Sequence, residues 1–271
     1  MRILVLGVND VASAVAWLLW SEGKKVVLGS EPMPTVTRRG MAFADAVFDG
    51  TAVLEGVRAQ RVDTVEAAEA LLATRAAIPV FVGWVVEELV GVVRPDVLVD
   101  ARMRKRVRPE SLRGLAPLTI GLGPGFVAGE QVDVAVETSW DELGKVRWQG
   151  TNLPLAGEPR EIAGYRRDRY VYAPCAGVWQ TDRQIGELVA AGEHVAWIVC
   201  ESGERVGIFA PISGAIRGLT RDGVPVASGT KVLEIDPRGV AGQVRGLGER
   251  PRRVAAGVLT AITAWREAPL A

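Results

Sequence analysis

"RILVLGVNDVASAVAWLLWSEGKKVVLGS", residues 2–30, decides how the rest of the chain is read. "RILVLG" is a short apolar run of the length of a buried strand. Asn9 or Asp10 is placed to cap a helix over "VASAVAWLLWSEG", which Gly23 ends. "KKVVLGS" then reads as a second strand. Strand, helix and strand in 29 residues make a βαβ unit, and such a unit implies parallel strands with a covering helix.

The same alternation continues. "DTVEAAEALLATRAA" begins with Asp63 and Glu66 at capping-box spacing. "IPVFVG" is a strand, "WVVEELVGVV" a helix and "DVLVDAR" a further strand. The tail "ERPRRVAAGVLTAITAWREA" places Val254, Val258, Ile262 and Trp265 on one helical face, which predicts packing back onto the body.

From about residue 170 the texture changes to short strands, prolines and spaced glycines. "APCAGV" at 173–178 returns as "APISGA" at 210–215, and "IGELVAAGEHVAWI" at 185–198 returns as "DGVPVASGTKVLEI" at 222–235. Both matches fall at an offset of 37 residues, so the region holds two copies of one β unit that are expected to pair. The A-P-x-x-G starts resemble the biotinyl/lipoyl type of barrel-sandwich domain. In carrier members of that group the modified lysine sits at the hairpin between the halves. Gly203 occupies that place here, and no lysine lies between Lys145 and Lys231, so neither biotin nor lipoate is expected.

The fold expected is therefore an α/β Rossmann-like parallel-sheet domain joined to an all-β barrel-sandwich domain of two tandem repeats. The boundaries are 1–165, 166–240 and a C-terminal helix at 241–271. Lys+Arg and Asp+Glu both number 32 in 271 residues, which argues against nucleic acid or an anionic membrane surface as partner. No apolar run approaches a membrane span, and the amino terminus does not have the form of a signal peptide. A cytoplasmic protein is expected. With two cysteines and one histidine there is no disulfide framework and no metal-ligand cluster in the sequence. Cys175 and Cys200 read as free thiols, and His194 as a surface strand residue.

Four places hold candidate chemistry. "GVND" after the first strand keeps only Gly7 of a G-x-G-x-x-G fingerprint, with Asn9 and Ala12 in the other slots; this favours a scaffold that binds no dinucleotide there. Glu31 ends the second strand, where a ribose-binding acid stands in dinucleotide folds. "TIGLGPGFVAGEQVDVAVET", 119–138, exposes backbone at Gly121, Gly123, Gly125 and Gly129 and leads to Glu137 and Thr138. Such a loop is either an anion-binding nest or a turn that needs positive φ, and the residues alone leave this open. "VDARMRKR" puts Asp100, Arg102 and Lys105 beyond a strand end, the usual ligand edge. "TRRG" places Arg38 and Arg39 in a similar position; for both stretches the alternative is a solvated basic loop.

Taken in order, "EPMPTVTRRGMAFADAVFDG", "LEGVRAQ", "VDARMRK", "IGLGPGFVAGEQVDVAVET", "LGKV" and "APCAG" resemble the selenium-dependent molybdenum hydroxylase system protein family, over nearly the whole chain. The resemblance implies an accessory protein for maturation of a molybdenum hydroxylase, with that hydroxylase as partner. It implies binding of an anionic, nucleotide-like cofactor, a molybdopterin dinucleotide being the leading candidate. The matching residues are Arg38, Arg39, Asp100, Arg102, Lys105, Gly121, Gly123, Gly125, Gly129, Glu137 and Thr138, carried over as ligand contacts without catalytic roles. Two departures stand out. Trp140, Asp141 and Glu142 replace the family's Arg-Gly-His, and "LAG" at 155–157 replaces Asn-Thr-Gly. Two other readings stand beside it: an NAD(P)-linked oxidoreductase using the Gly7 turn and Glu31, and a non-catalytic docking module acting through the repeat.

Overall fold

A computed structural model describes residues 1–104, 107–154 and 159–268. The chain divides into two compact units. Unit 1 comprises Met1–Pro32, Ala42–Ala156 and Leu247–Ala271; unit 2 comprises Met33–Met41 and Gly157–Gly246.

Unit 1 opens with β1 (Arg2–Leu6), α1 (Asp10–Ser21) and β2 (Lys25–Ser30). The Asn9 side-chain oxygen accepts from the backbone N–H groups of Val11 and Ala12, so Asn9 is the cap. There follow α2 (Asp45–Asp49), β3 (Thr51–Leu54), β4 (Val57–Arg61), α3 (Val65–Thr74), β5 (Ile78–Val82), α4 (Val86–Val93) and β6 (Val97–Asp100). Thr64, not Asp63, caps α3: its hydroxyl accepts from Ala67 N at 3.2 Å. The unit continues with β7 (Leu118–Leu122), β8 (Val127–Ala128), β9 (Val134–Val136), β10 (Val146–Arg147) and β11 (Gly150–Thr151). The main sheet has nine strands in the order β10-β9-β7-β6-β1-β2-β5-β4-β3, and β8 and β11 form a separate pair. Ile3, Leu4, Val5, Val26, Val27, Leu28, Leu98 and Val99 are buried on the central strands, as continuous apolar runs should be when both faces are covered.

The expectation of a parallel sheet is corrected at both edges. β3 pairs antiparallel with β4, and β10 with β9. The first reversal is a two-residue hairpin, with Glu55 at φ 47° and Gly56 at φ 79°, the type I′ geometry that matches strand twist. The sheet is mixed.

Unit 2 holds β12 (Tyr170–Tyr172), β13 (Gly177–Gln180), β14 (Leu188–Val189), β15 (His194–Cys200), β16 (Arg205–Phe209), β17 (Gly214–Leu219), β18 (Pro225–Val226) and β19 (Lys231–Asp236). They form two four-stranded antiparallel sheets, β12-β19-β17-β14 and β16-β15-β13-β18. Strands β17, β18 and β19 start 37 residues after β13, β14 and β15. Each sheet takes strands from both copies, so β14 pairs with β17 and β13 with β18. Trp179, Val195, Ile198, Ile216, Leu219, Leu233 and Ile235 fill the core. A second domain of biotinyl/lipoyl barrel-sandwich type, built from tandem copies, is not shown. Among the described residues the observed arrangement is these antiparallel sheets, because the hydrogen-bonding edges of one copy are satisfied by the other.

A second correction concerns the thiols. Cys175 and Cys200 are joined as a disulfide, with their Cα atoms 6.3 Å apart. Gly177 pairs with Cys200 across β13 and β15, which brings the turn holding Cys175 alongside. His194 does lie on a strand, but half-buried, its ring 4.5 Å from that of Trp197 and 5.5 Å from that of Phe209.

Finally, α5 (Glu249–Glu267) returns to unit 1, burying Val254, Val258 and Ile262 and packing on α1. No helix among the described residues is long and apolar enough to cross a membrane.

Candidate functional site

In the main sheet β1 is flanked by β2 on one side and β6 on the other, all parallel. The chain leaves β1 toward β2 and returns through β6 on the opposite side. Such a reversal makes the edge beyond the carboxyl ends of β1 and β6 the usual place for a ligand in α/β sheets. Gly7 lines it at φ 109°, where a Cβ would lie 3.0 Å from the Ala101 carbonyl oxygen. Asn9 spans it, donating from Nδ2 to Ala101 O at 2.7 Å while its Oδ1 caps α1. That side chain ties the turn after β1 to the chain leaving β6.

Beside it, four charged side chains form one cluster. Asp100, 2% exposed at the end of β6, accepts from Arg102 Nε at 3.0 Å and Nη2 at 2.6 Å, and from Arg102 N at 3.0 Å. Arg102 and Arg104 both reach Glu110 Oε1, at 2.5 and 3.0 Å, and Arg104 lies 3.6 Å from Asp100. Burial pulls the Arg102 guanidinium pKa down, but Asp100 and Glu110 outweigh it and raise the value above normal. Burial likewise opposes ionisation of Glu110, and Arg102 and Arg104 hold its carboxyl below the usual range.

The glycine-rich stretch answers for most of its glycines structurally. A Cβ at Gly121 would stand 2.4 Å from the Phe126 ring, which folds back over the strand. Gly123 and Gly125 have φ of 100° and 87°, and Gly129 has 89°. Gly123 faces Met103 and Thr138, and Gly125 faces Pro109. Gly129 belongs to the turn before β9, donating its N–H to Val132 O at 2.7 Å. Glu137 is 1% exposed, and its carboxylate is occupied by backbone: Oε1 accepts from Thr138 N and Ser139 N at 2.7 Å, and Oε2 from Leu153 N at 2.6 Å. Its role here is to tie two loops together.

Sequence reasoning missed Asn152. It donates from Nδ2 to Gly123 O and Val136 O, both at 2.9 Å, and its buried Oδ1 has no hydrogen-bond partner among the described residues. An isolated Asn after a short strand carries no local signal for such a role. Glu142, at the first departure noted above, bonds to Lys145 at 2.6 Å and also to Arg147, while Trp140 is partly exposed.

The predicted residues thus separate. Asp100, Arg102, Gly121, Gly123, Gly125, Glu137 and Thr138 gather at the carboxyl ends of β6, β7 and β9 in unit 1. Arg38 and Arg39 belong to unit 2, where Arg38 pairs with Glu234 at 2.9 Å. Lys105 and the departure at 155–157 lie outside the described residues. Among the described residues no group of three or more His, Cys, Asp or Glu is arranged to hold a metal ion.

No family model matches the chain. It is 38% identical over 263 residues to "Uncharacterized protein YqeB" of Escherichia coli (strain K12), covering 96% of this chain. The chain spans about half, 47%, of that relative's length. Solved structures found similar include an aspartoacylase family protein from Mesorhizobium loti at 13% identity and a TM-score of 0.29. That match covers 86% of this chain and 84% of the other. A succinylglutamate desuccinylase from a Silicibacter species has 13% identity and a TM-score of 0.27, with the same coverage. A succinylglutamate desuccinylase/aspartoacylase from Rhodobacter sphaeroides has 25% identity over 28% of this chain and 23% of its own, with a TM-score of 0.24.

These findings correct the functional expectation. Nothing in them points to a molybdenum hydroxylase accessory protein. The neighbours are named as desuccinylase and aspartoacylase proteins, and the curated relative's name states no activity. The selenium-dependent maturation role, with delivery of a nucleotide-like cofactor, is withdrawn. Neither the NAD(P) reading nor the docking-module reading gains support in its place.

Proposed function

We propose that unit 1 binds a small anionic molecule, shorter than a dinucleotide, at the carboxyl edge of β1, β6 and β7. The observation that carries this reading is the Asp100–Arg102–Arg104–Glu110 cluster, on the loop leaving β6 where the strand order reverses. A crevice at that position is where α/β sheets take ligands. The amino end of α1 opens toward it and favours negative charge. In this reading the guanidinium groups of Arg102 and Arg104 meet the anion. Asp100 orients Arg102, Thr138 lines the wall, and Asn9 limits the depth.

The test is a thermal-shift and calorimetric screen of small carboxylates and phosphate esters against the purified chain, repeated with Arg104→Met. Arg104 is the more exposed of the two arginines, so its loss should leave the fold intact. A ligand that stabilises the protein and binds about tenfold more weakly to the variant supports the reading. A screen with no binder, or a binder indifferent to Arg104→Met, refutes it.

A further inference from the structure

In unit 2 the face of β17 and β19 opposite the apolar core carries buried charge. Arg217 on β17 is 8% exposed, Arg169 just before β12 is 2% exposed, and Glu234 and Asp236 on β19 are fully buried. Such a set costs a great deal to bury unless every charge is matched in geometry as well as in sign. Its hydrogen bonds show which groups are matched.

The Glu234 carboxylate accepts four hydrogen bonds. Oε2 takes one from Arg38 Nε at 2.9 Å and one from Lys231 Nζ at 3.0 Å. Oε1 takes one from Arg38 Nη2 at 3.1 Å and one from Arg169 Nη1 at 2.5 Å. A carboxylate offers about four acceptor sites, so this one is full. Asp236 is engaged by Arg238 through Nε at 2.9 Å, Nη2 at 2.7 Å and the backbone N at 3.1 Å.

Arg217 lies between these two carboxylates and bonds to neither. Its Nε is 3.7 Å from Glu234 Oε1 and its Nη1 is 3.7 Å from Asp236 Oδ2. The Nε atoms of both Arg217 and Arg169 are buried with no hydrogen-bond partner among the described residues; Arg169 uses Nη1 on Glu234 and Nη2 on Arg160 O at 3.3 Å, so it has only Nε to offer and the fork is that of Arg217. Burial, and then the nearby Arg38 guanidinium, lower the Arg217 pKa despite the two carboxylates. The fork of a guanidinium is matched by an oxyanion with two oxygens in its plane. Arg38, Lys231 and Arg238 are the more exposed members of the cluster, at 20%, 28% and 41% of their side chains.

We infer that Arg217 and Arg169 bind a tetrahedral oxyanion of the phosphate class, free or as the phosphoryl group of a small ester, on this face of unit 2. The site is separate from the one proposed in unit 1 and shares no residue with it. It gives the Arg217 guanidinium, ion-paired at 3.7 Å with both carboxylates but hydrogen-bonded to neither, the anion's oxygens as acceptors.

The experiment is isothermal calorimetry of the full chain with inorganic phosphate, and separately with glycerol phosphate, in chloride buffer at constant ionic strength. The same titrations use Arg217→Met, Arg217→Lys and, as the unit 1 control, Arg104→Met. Saturable phosphate binding that weakens about tenfold or more in both Arg217 variants, and is unchanged in Arg104→Met, is the expected result. Tighter binding of the ester would identify a metabolite as the source; equal binding would identify free phosphate. Should Arg217→Met fail to fold, Arg217→Lys keeps the charge and removes the fork, and decides the question alone. Binding absent in the parent chain, or equal in Arg217→Lys, overturns the inference. A water molecule satisfying Nε would give that second pattern.

Discussion

Gly121 carries its consequence in a single missing atom. Phe126 lies over it so closely that a Cβ would stand 2.4 Å from the ring, and Phe126 is itself 5% exposed. Gly121→Ala should therefore destabilise unit 1 by about 1–3 kcal/mol, the usual cost of overpacking. In urea the midpoint should fall with the slope unchanged. Adding Phe126→Ala should recover part of the loss; if the double variant is simply the sum of two losses, the contact is not the cause. Asn152 is the complementary case, where a side chain supplies what the backbone lacks. Asn152→Ala removes the donors to two carbonyls, Gly123 O and Val136 O, and should cost about 1–3 kcal/mol for the acceptors left dry. Asn152→Asp should be no better, since it replaces those donors by oxygen. A variant as stable as the parent would mean that water reaches the loop.

Elements were legible where their signal is local. The βαβ start, a helix cap at Asn9 or Asp10 and the 37-residue repeat could all be read from the letters, because capping and periodicity act over a few residues; the structure chose Asn9. The hairpin at Glu55 and Gly56 was legible in principle, as a Gly-containing pair between two short β runs, and the alternating pattern around it concealed it. The disulfide was not. Cys175 and Cys200 are separated by 25 residues, and their meeting depends on the pairing of β13 with β15. Closing a loop of that length should contribute about 3 kcal/mol in the chain-entropy account. Reduction, or the Cys175→Ser/Cys200→Ser pair, should lower the thermal midpoint of unit 2 while leaving unit 1 folded, as read by hydrogen exchange resolved along the chain. Exchange protection in β13 and β15 that does not change on reduction would show the bond to be dispensable.

At the scale of the whole molecule the buried charges set the pH response. Burial pushes the Glu234 carboxyl up, and Arg38, Lys231 and Arg217 outweigh it and hold it well below 4.5. Burial also opposes ionisation of Asp236, and Arg238 and Arg217 hold it below 3.8. Each folded-state value lies below the unfolded one, so the stabilisation is fully present above about pH 5 and fades as pH falls through the folded values. Unfolding free energy measured in urea from pH 7 down to pH 3 should be flat at first and then fall, with loss of unit 2 structure. Glu234→Gln should cost about 3–5 kcal/mol at pH 7, because it leaves cations buried without their carboxylate, and should make the acid limb shallower. An acid limb as steep in the variant would place the pH response elsewhere.

The sequence by itself determined that strands alternate with helices in the first hundred residues and that a β unit is repeated after residue 170. These are consequences of backbone sterics and side-chain periodicity, which reach only a few positions along the chain. Which edges of the sheet reverse, which thiols bond, and which arginines share a carboxylate were decided by the tertiary structure alone. Arg38 and Glu234 are 196 residues apart, and charges find each other through space, at distances that no local pattern encodes. The candidate residues divide along the same line. Asp100, Arg102 and Thr138 share an edge because parallel strands end together. Arg38 was drawn away to unit 2 by a buried carboxylate that, as a letter in the sequence, is one glutamate among many.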